Sequence, residues 1–393
     1  MRILFHHRIA SADGQFVHLT ELVRALRGLG HEVLVVGPAI TEDAQLGSSS
    51  AFVGALKKRV PKALYEVLEL GYSAVAAARL WAAARRFRPD CIYERYNLHL
   101  HAGAWVAALL RLPLLLEVNS PLTEERARYG GLALRAMAAW SDRRIWRAAD
   151  YVLPVTRVLA GFVERAGVPA DRIRVIPNGA DLGVYRQLPA REHAKAELGL
   201  SGFTVLGFTG FVRSWHGMAQ ILDYAAQHRE LPLCVLVVGD GDERAELQAQ
   251  AGRLGIADRL RFTGFVPREQ VPRYVAAFDI ALQPAVTEYA SPLKLFEYMA
   301  AGCAIVAPDA PNIREVLADG RNALLNEAGN FPALVGSIDR LLRDPQLRQT
   351  LGAQARADVV SVPYTWEHNA KTVVALAASV SRNAGSAQPV PRP

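Results

Sequence analysis

Between Glu288 and Pro308 the chain reads E-Y-A-S-P-L-K-L-F-E-Y-M-A-A-G-C-A-I-V-A-P, which sets a lysine and a glutamate three residues apart behind a helix-start signal. Ser291 can accept a bond from the amides of a first helical turn, and Pro292 has the φ that a first helical position requires, so a helix is expected to begin there. Leu293, Phe296 and Ala300 then share a buried stripe, while Lys294 and Glu297 share a second, polar face. Unpaired amides, the positive end of the helix dipole and the Lys294 ammonium would together hold a diphosphate. Glu297, one turn further on, would accept hydrogen bonds from vicinal ribose hydroxyls. The competing reading is an ordinary amphipathic helix with an exposed and weak Lys–Glu pair.

Two parallel α/β domains are expected to position this device. Short apolar runs alternate with helical patterns along the chain, as in βαβ units. Arg2 to Phe5 and Val33 to Val36 bracket a helix at Leu19 to Leu29, and further strands are expected at Cys91 to Tyr93, Leu114 to Val118, Tyr151 to Val155 and Arg174 to Ile176. After P-N-G-A-D (Pro177 to Asp181) a second series begins: Phe203 to Phe208, Cys234 to Val238, Arg261 to Thr263, Asp279 to Leu282 and Ala304 to Ala307. Gly302 should end the helix before the last of these. The implied organisation is a first Rossmann-like domain over residues 1–182, a second over 200–365, a helix at 366–382 packing back on the first, and a disordered tail at 383–393. Sheets of this kind bind ligands at the carboxyl ends of their strands.

Composition narrows the function classes. The 393 residues are too many for one ordinary core, and the formal charge of +7 permits a phosphate-bearing, membrane or nucleic-acid partner. No zinc spacing or RNA-binding signature accompanies that charge, and the clusters Lys57-Lys58-Arg59 with Lys62, Arg85-Arg86-Arg88, and Arg143-Arg144 with Arg147 read as solvated helix faces. Cys91, Cys234 and Cys303 suggest neither a disulfide framework nor a metal cluster, in keeping with a reducing cytoplasm. The N-terminus lacks a signal-peptide core, and the most apolar run, Trp105 to Val118, is broken by Arg111 and Pro113, so no membrane-spanning helix is expected. Gly239-Asp240-Gly241 begins a G-x-G-x-x-R stretch but lacks the third glycine of a dinucleotide fingerprint. His6, His7, His99 and His101 lie near strand ends, without carboxylates at metal-ligand spacing.

Taken in order, several further pieces resemble the retaining glycosyltransferases of family 4, which have the GT-B fold. They are the first strand and loop running to His18, A-D-Y-V-L-P-V-T at Ala149 to Thr156, V-I-P-N-G-A-D at Val175 to Asp181, G-F-T-G at Gly207 to Gly210, V-V-G-D-G-D-E at Val237 to Glu243, F-T-G-F-V at Phe262 to Val266, and S-P-L-K-L-F-E-Y-M-A-A-G. The resemblance implies a sugar–nucleoside diphosphate bound mainly by the second domain, with Glu297 on the ribose, Ser291, Pro292 and Leu293 near the phosphates and sugar, and Phe265 and Val266 along the base. It also places Gly14 where a loop of the first domain approaches the donor, which glycine permits.

Three departures from the family pattern stand out. The first glutamate of the pair ending at Glu297 falls on Tyr289, with Glu288 one place early; Phe211 and His216 take the usual Arg and Lys positions; and Asn119 stands where a histidine is common. Glu288 and Asn119 are therefore the candidates for contact with the reacting groups, and Arg213 or Lys294 for the missing charge. Asn119 can orient a hydroxyl but cannot act as a base. The resemblance implies front-face transfer with retention, using neither cofactor nor metal, to a glycan or lipid-linked acceptor in polysaccharide biosynthesis. A GT-B epimerase and a non-catalytic nucleotide-sugar-binding subunit are the alternatives. The chain is expected in the cytoplasm, touching the inner membrane face peripherally around Val53 to Leu64, where cations interleave with apolar residues.

Overall fold

The computed structural model describes residues 1–9, 14–38 and 60–386. The chain divides into two compact units, the first made of Met1–Pro177, Tyr289–Ser291 and the chain from Trp366 onward, the second of Asn178–Glu288 and Pro292–Thr365. The tail expected at 383–393 is helical as far as Ser386, and the rest of it lies outside the described residues.

In the first unit five parallel strands, β1 (Arg2–His6), β2 (Glu32–Val36), β3 (Cys91–Arg95), β4 (Leu114–Val118) and β5 (Tyr151–Pro154), lie in the order β2-β1-β3-β4-β5. The central strands are buried along their whole length, which explains why they read as continuous apolar runs. Arg174 to Ile176 does not form the expected strand. It runs beside β5 with bonds from Arg174 N to Val152 O and from Ile176 N to Pro154 O, but Pro154 has no N–H to return and Pro177 follows, so the ladder stops at a single bridge. Helix Trp366–Ser386 packs on helix Gly14–Gly28, with the Trp366 indole edge-on to His18 at 5.0 Å.

The second unit has six parallel strands, β6 (Thr204–Thr209), β7 (Leu233–Val238), β8 (Leu260–Phe262), β9 (Ile280–Leu282), β10 (Ala304–Asp309) and β11 (Leu324–Glu327), in the order β11-β10-β9-β6-β7-β8. β11 was not expected, because L-L-N-E is short and half polar and is recruited only by pairing with β10. Neighbours along β6 serve opposite faces: Val205 packs with Phe296 and Ile305, whereas Leu206 packs with Ile221 and Val306. The strand order reverses between β6 and β9, so a crevice opens beyond their carboxyl ends. Thr209 ends β6 there, and the chain leaving β9 leads into helix Leu293–Ala301.

No described helix is long and apolar enough to cross a membrane. All three cysteines are free and buried, and burial pushes their thiols up, Cys91 to about 12 and Cys234 and Cys303 to about 11.

Candidate functional site

The helix expected after Ser291 begins one residue later than read from the sequence. It spans Leu293–Ala301, and Pro292 is its N-cap with ψ 119° and offers no side-chain cap of its own. Ser291 belongs, with Tyr289 and Ala290, to the first unit, where Thr156 Oγ1 donates to Tyr289 O at 2.9 Å. Gly302, with φ 69°, ends the helix. Tyr298 fastens it to the end of β6, its hydroxyl oxygen accepting from Thr209 N at 2.8 Å. Phe296 and Ala300 are buried as expected, but Leu293 is only half-buried and Glu297 is 3 % exposed. The glutamate read as lying on a polar face is therefore inside the protein.

Lys294 is half-buried, and its ammonium sits 3.6 Å above the centroid of the Phe208 ring at the end of β6. Burial lowers its pKa to about 7, against a smaller opposing pull from Glu297. With nothing bound, the group is therefore poised between charged and neutral near pH 7. Gly210 lies beside it, a Cβ there being in ordinary contact at 3.6 Å from Lys294 Nζ, and it is the φ of 115° that favours glycine at this turn.

His216 is buried between Phe208 and Trp215, and Arg213 N donates to its Nδ1 at 3.0 Å, which leaves the proton on Nε2. Burial, then Lys294 and Arg213, drives its pKa down to about 3, so it is neutral at pH 7 and does not replace the family lysine as a charge. Arg213 is exposed, with its guanidinium 5.2 Å from the centroid of the Phe211 ring.

Glu297 is paired with Arg268, whose Nη1 meets Oε1. Sequence reasoning missed Arg268. It lies in the turn Arg268–Gln270, just after Phe265 and Val266, and no local pattern links it to a glutamate on a distant helix. Phe265 is 62 % exposed, whereas Val266 is half-buried against the core. An exposed aromatic ring beside a buried anchor suits a surface for a planar base.

The partial dinucleotide fingerprint has a structural explanation. Val212 and Gly241 form a bridge between the loops after β6 and β7, and Val212 N donates to Asp240 O at 2.7 Å. A Cβ on Gly241 would lie 2.1 Å from Val212 O, and one on Gly239 would lie 2.3 Å from Gly210 O. These glycines let two backbones touch and so hold the Gly210–His216 loop over Lys294. Gly241→Ala is expected to lower stability by about 1–3 kcal/mol, because backbone cannot yield as a side chain would. Urea unfolding checks this, and an unchanged midpoint would refute the packing role.

Glu288 is exposed, at the last residue of the second unit before the chain crosses to Tyr289. Gly14 is exposed and heads helix Gly14–Gly28. Asn119, in the first unit, donates through Nδ2 to Glu117, a buried carboxylate that also binds His18 Nε2 at 2.8 Å, Tyr93 and Arg95. His6 is paired with Glu94, and His7, His99 and His101 are buried, which lowers their pKa values, to about 4 for His7 and His101. Among the described residues no group of three or more His, Cys, Asp or Glu is placed to hold a metal ion.

Comparison with known proteins gives two adjoining matches. Residues 12–184 match the model described as Glycosyltransferase Family 4, and residues 190–358 match Glycosyl transferases group 1. The chain is 27 % identical over 358 residues to a 2-deoxystreptamine glucosyltransferase of Streptomyces kanamyceticus, covering 84 % of this chain and 89 % of that one. It is 25 % identical over 362 residues to a GDP-mannose-dependent alpha-mannosyltransferase of Mycolicibacterium smegmatis, covering 91 % of each. In fold it is similar to Anabaena HepE, solved in complex with UDP-glucose, with a TM-score of 0.73 at 23 % identity over 97 % of this chain and all of that one.

Proposed function

Since the chain belongs to glycosyltransferase family 4 and is a glycosyltransferase with two parallel-sheet α/β domains of GT-B type, we propose that it moves a sugar, with retention of configuration, from a nucleoside diphosphate to a glycan or lipid-linked acceptor in polysaccharide biosynthesis. The observation that carries this reading is the first turn of helix Leu293–Ala301. Its N-cap is Pro292, it follows the strand beside the β6–β9 crevice, and it carries Lys294 over Phe208 with Glu297 buried one turn on. A helix N-terminus beside a cation suits a diphosphate, and a buried carboxylate suits ribose hydroxyls. HepE has been solved with UDP-glucose, which supports a donor of this class.

As the bond from the anomeric carbon to the phosphate oxygen breaks, positive charge grows on the sugar and negative charge on the diphosphate. Lys294, gaining its proton fully as that anion arrives, and the helix amides stabilise the leaving group. The acceptor oxygen bonds to the anomeric carbon from the same face, and the departing phosphate takes the acceptor proton. Asn119, held by Glu117, has its amide oxygen for orienting an acceptor hydroxyl. Such a reaction acts at the cytoplasmic membrane face, needing neither cofactor nor metal.

A screen of UDP-, GDP- and ADP-sugars for release of nucleoside diphosphate, with NMR of the product's anomeric configuration, tests the reading. Transfer with inversion, or donor isomerisation without acceptor, would overturn it. Saturating EDTA is expected to leave the rate unchanged. A loss restored by manganese or magnesium would show that a metal, not Lys294, carries the diphosphate charge.

A further inference from the structure

Helix Lys62–Phe87 of the first unit is turned inside out relative to a water-facing helix. Its two glutamates point inward: Glu66 is 1 % exposed and accepts from Ala133 N at 2.6 Å and Leu134 N at 2.8 Å, and Glu69 is buried against Arg126 at 2.6 Å. Its outer face carries Leu64, Val67, Leu68, Val75 and Trp81, each between 43 and 51 % exposed.

Two neighbouring helices continue the pattern. Ala102–Leu110, packed against Lys62–Phe87, exposes Trp105 and Leu109. Arg135–Ala148, whose approach is fixed by Glu66, exposes Trp140 with Arg143 and Arg144, while its one acid, Asp142, is buried. The His101 ring lies 5.6 Å from Trp105 and 5.4 Å from Trp140, joining the last two. Every exposed charge on these three helices is a cation, including Arg85 and Arg86, and none is a carboxylate.

We infer that this face is the surface by which the protein lies on an anionic lipid bilayer. Exposed aliphatic side chains gain from an apolar medium, tryptophans rimmed by arginines suit the headgroup boundary, and the complete withdrawal of carboxylates matches a negatively charged surface. A nucleic acid would use the arginines but nothing in Leu64, Leu68, Val75 and Leu109. A second copy meeting this face across a two-fold axis would bring like charges together. The helix lies along the membrane rather than through it, since it is not apolar enough to span one. The proposal deepens the reading of a lipid-linked acceptor, but it stands on the first unit alone. It also moves the contact expected around Val53 to Leu64, of which Val53 to Arg59 lie outside the described residues.

Vesicle co-sedimentation of the full chain tests it, using phosphatidylcholine with and without phosphatidylglycerol. Binding is expected to be roughly tenfold or more stronger with the anionic lipid and to weaken with salt. Leu68→Glu with Val75→Glu, and separately Arg85→Glu with Arg86→Glu, are each expected to abolish that preference while leaving the urea-unfolding transition of the full chain as in the parent, which certifies the fold of the first unit. Variants that bind as the parent does would overturn the assignment, as would a parent that ignores anionic vesicles while still transferring sugar to a soluble acceptor. Dimerisation or nucleic-acid binding lost in the same variants, without vesicle binding in the parent, would assign the face to that partner instead. Failure of transfer with vesicle binding intact would count against the proposed function and not against this surface.

Discussion

At pH 7 Lys294→Met is expected to cost about 1.5–3 kcal/mol of nucleoside-diphosphate affinity, the range for hydrogen bonds to charged groups, and to leave nucleoside affinity nearly unchanged. The pH dependence distinguishes this from simple loss of a cation. Burial holds the ligand-free ammonium near a pKa of about 7, and a bound diphosphate must raise it. Affinity in the parent is therefore highest where Lys294 is already protonated, at and below about pH 7, and falls as pH rises, by at most roughly tenfold per unit. The folding equilibrium has the opposite sign. A lysine whose folded pKa is below its unfolded value of 10.5 makes the unfolded chain bind more protons, so the ligand-free protein gains stability as pH rises from about 7. The Met variant should lack both slopes. Calorimetry between pH 6 and 9 decides: an identical slope in the variant, or a larger phosphate-specific loss in His216→Ala, would remove Lys294 from the diphosphate. Glu297→Gln supplies the complementary case, weakening ribonucleotides more than their 2′,3′-dideoxy analogues, because Arg268 meets Oε1 and ribose would use the other oxygen.

Glu117→Gln is expected to destabilise the first unit by about 3–5 kcal/mol, the cost of breaking a buried ion pair from one side. Glu117 is 2 % exposed, beside Arg95 at 7 %. Burial alone would raise its pKa, but His18, Arg95 and the hydrogen bonds from His18 and Tyr93 outweigh that and hold it well below the usual carboxylate range. A depressed carboxyl pKa contributes stability that is complete above the unfolded value of 4.5 and is lost as pH falls toward the folded one. Urea unfolding should thus show a large deficit for the variant at pH 7 that narrows as the parent is acidified. A deficit under about 1 kcal/mol at pH 7 would mean that the network is incidental. The same carboxylate holds Asn119 and lines a small cavity with His18 and Trp366, so the variant should also loosen the C-terminal helix.

Much of this protein was legible in the chain alone, for reasons of local physics. A strand buried on both faces must be a short apolar run, which is why β1, β4, β6 and β7 were found within a residue or two. Gly302 marked a helix end because only a residue without Cβ takes φ 69° freely. Lys294 and Glu297 were recognisable as a pair because three residues is nearly one helical turn. What tertiary structure alone decided are the partners and the environment of those groups. Arg268 reaches Glu297, and Phe208 lies beneath Lys294, through contacts whose sequence separation no periodicity encodes, and the second of these sets the lysine's charge by removing water. Pro292 rather than Ser291 takes the N-cap position, a shift of one residue that the local pattern does not resolve. In helix Lys62–Phe87, spacing shows that Leu64 and Leu68 share a face with each other but not which face points inward. That was settled by carboxylates needed inside, where Glu66 closes two backbone amides and Glu69 neutralises Arg126.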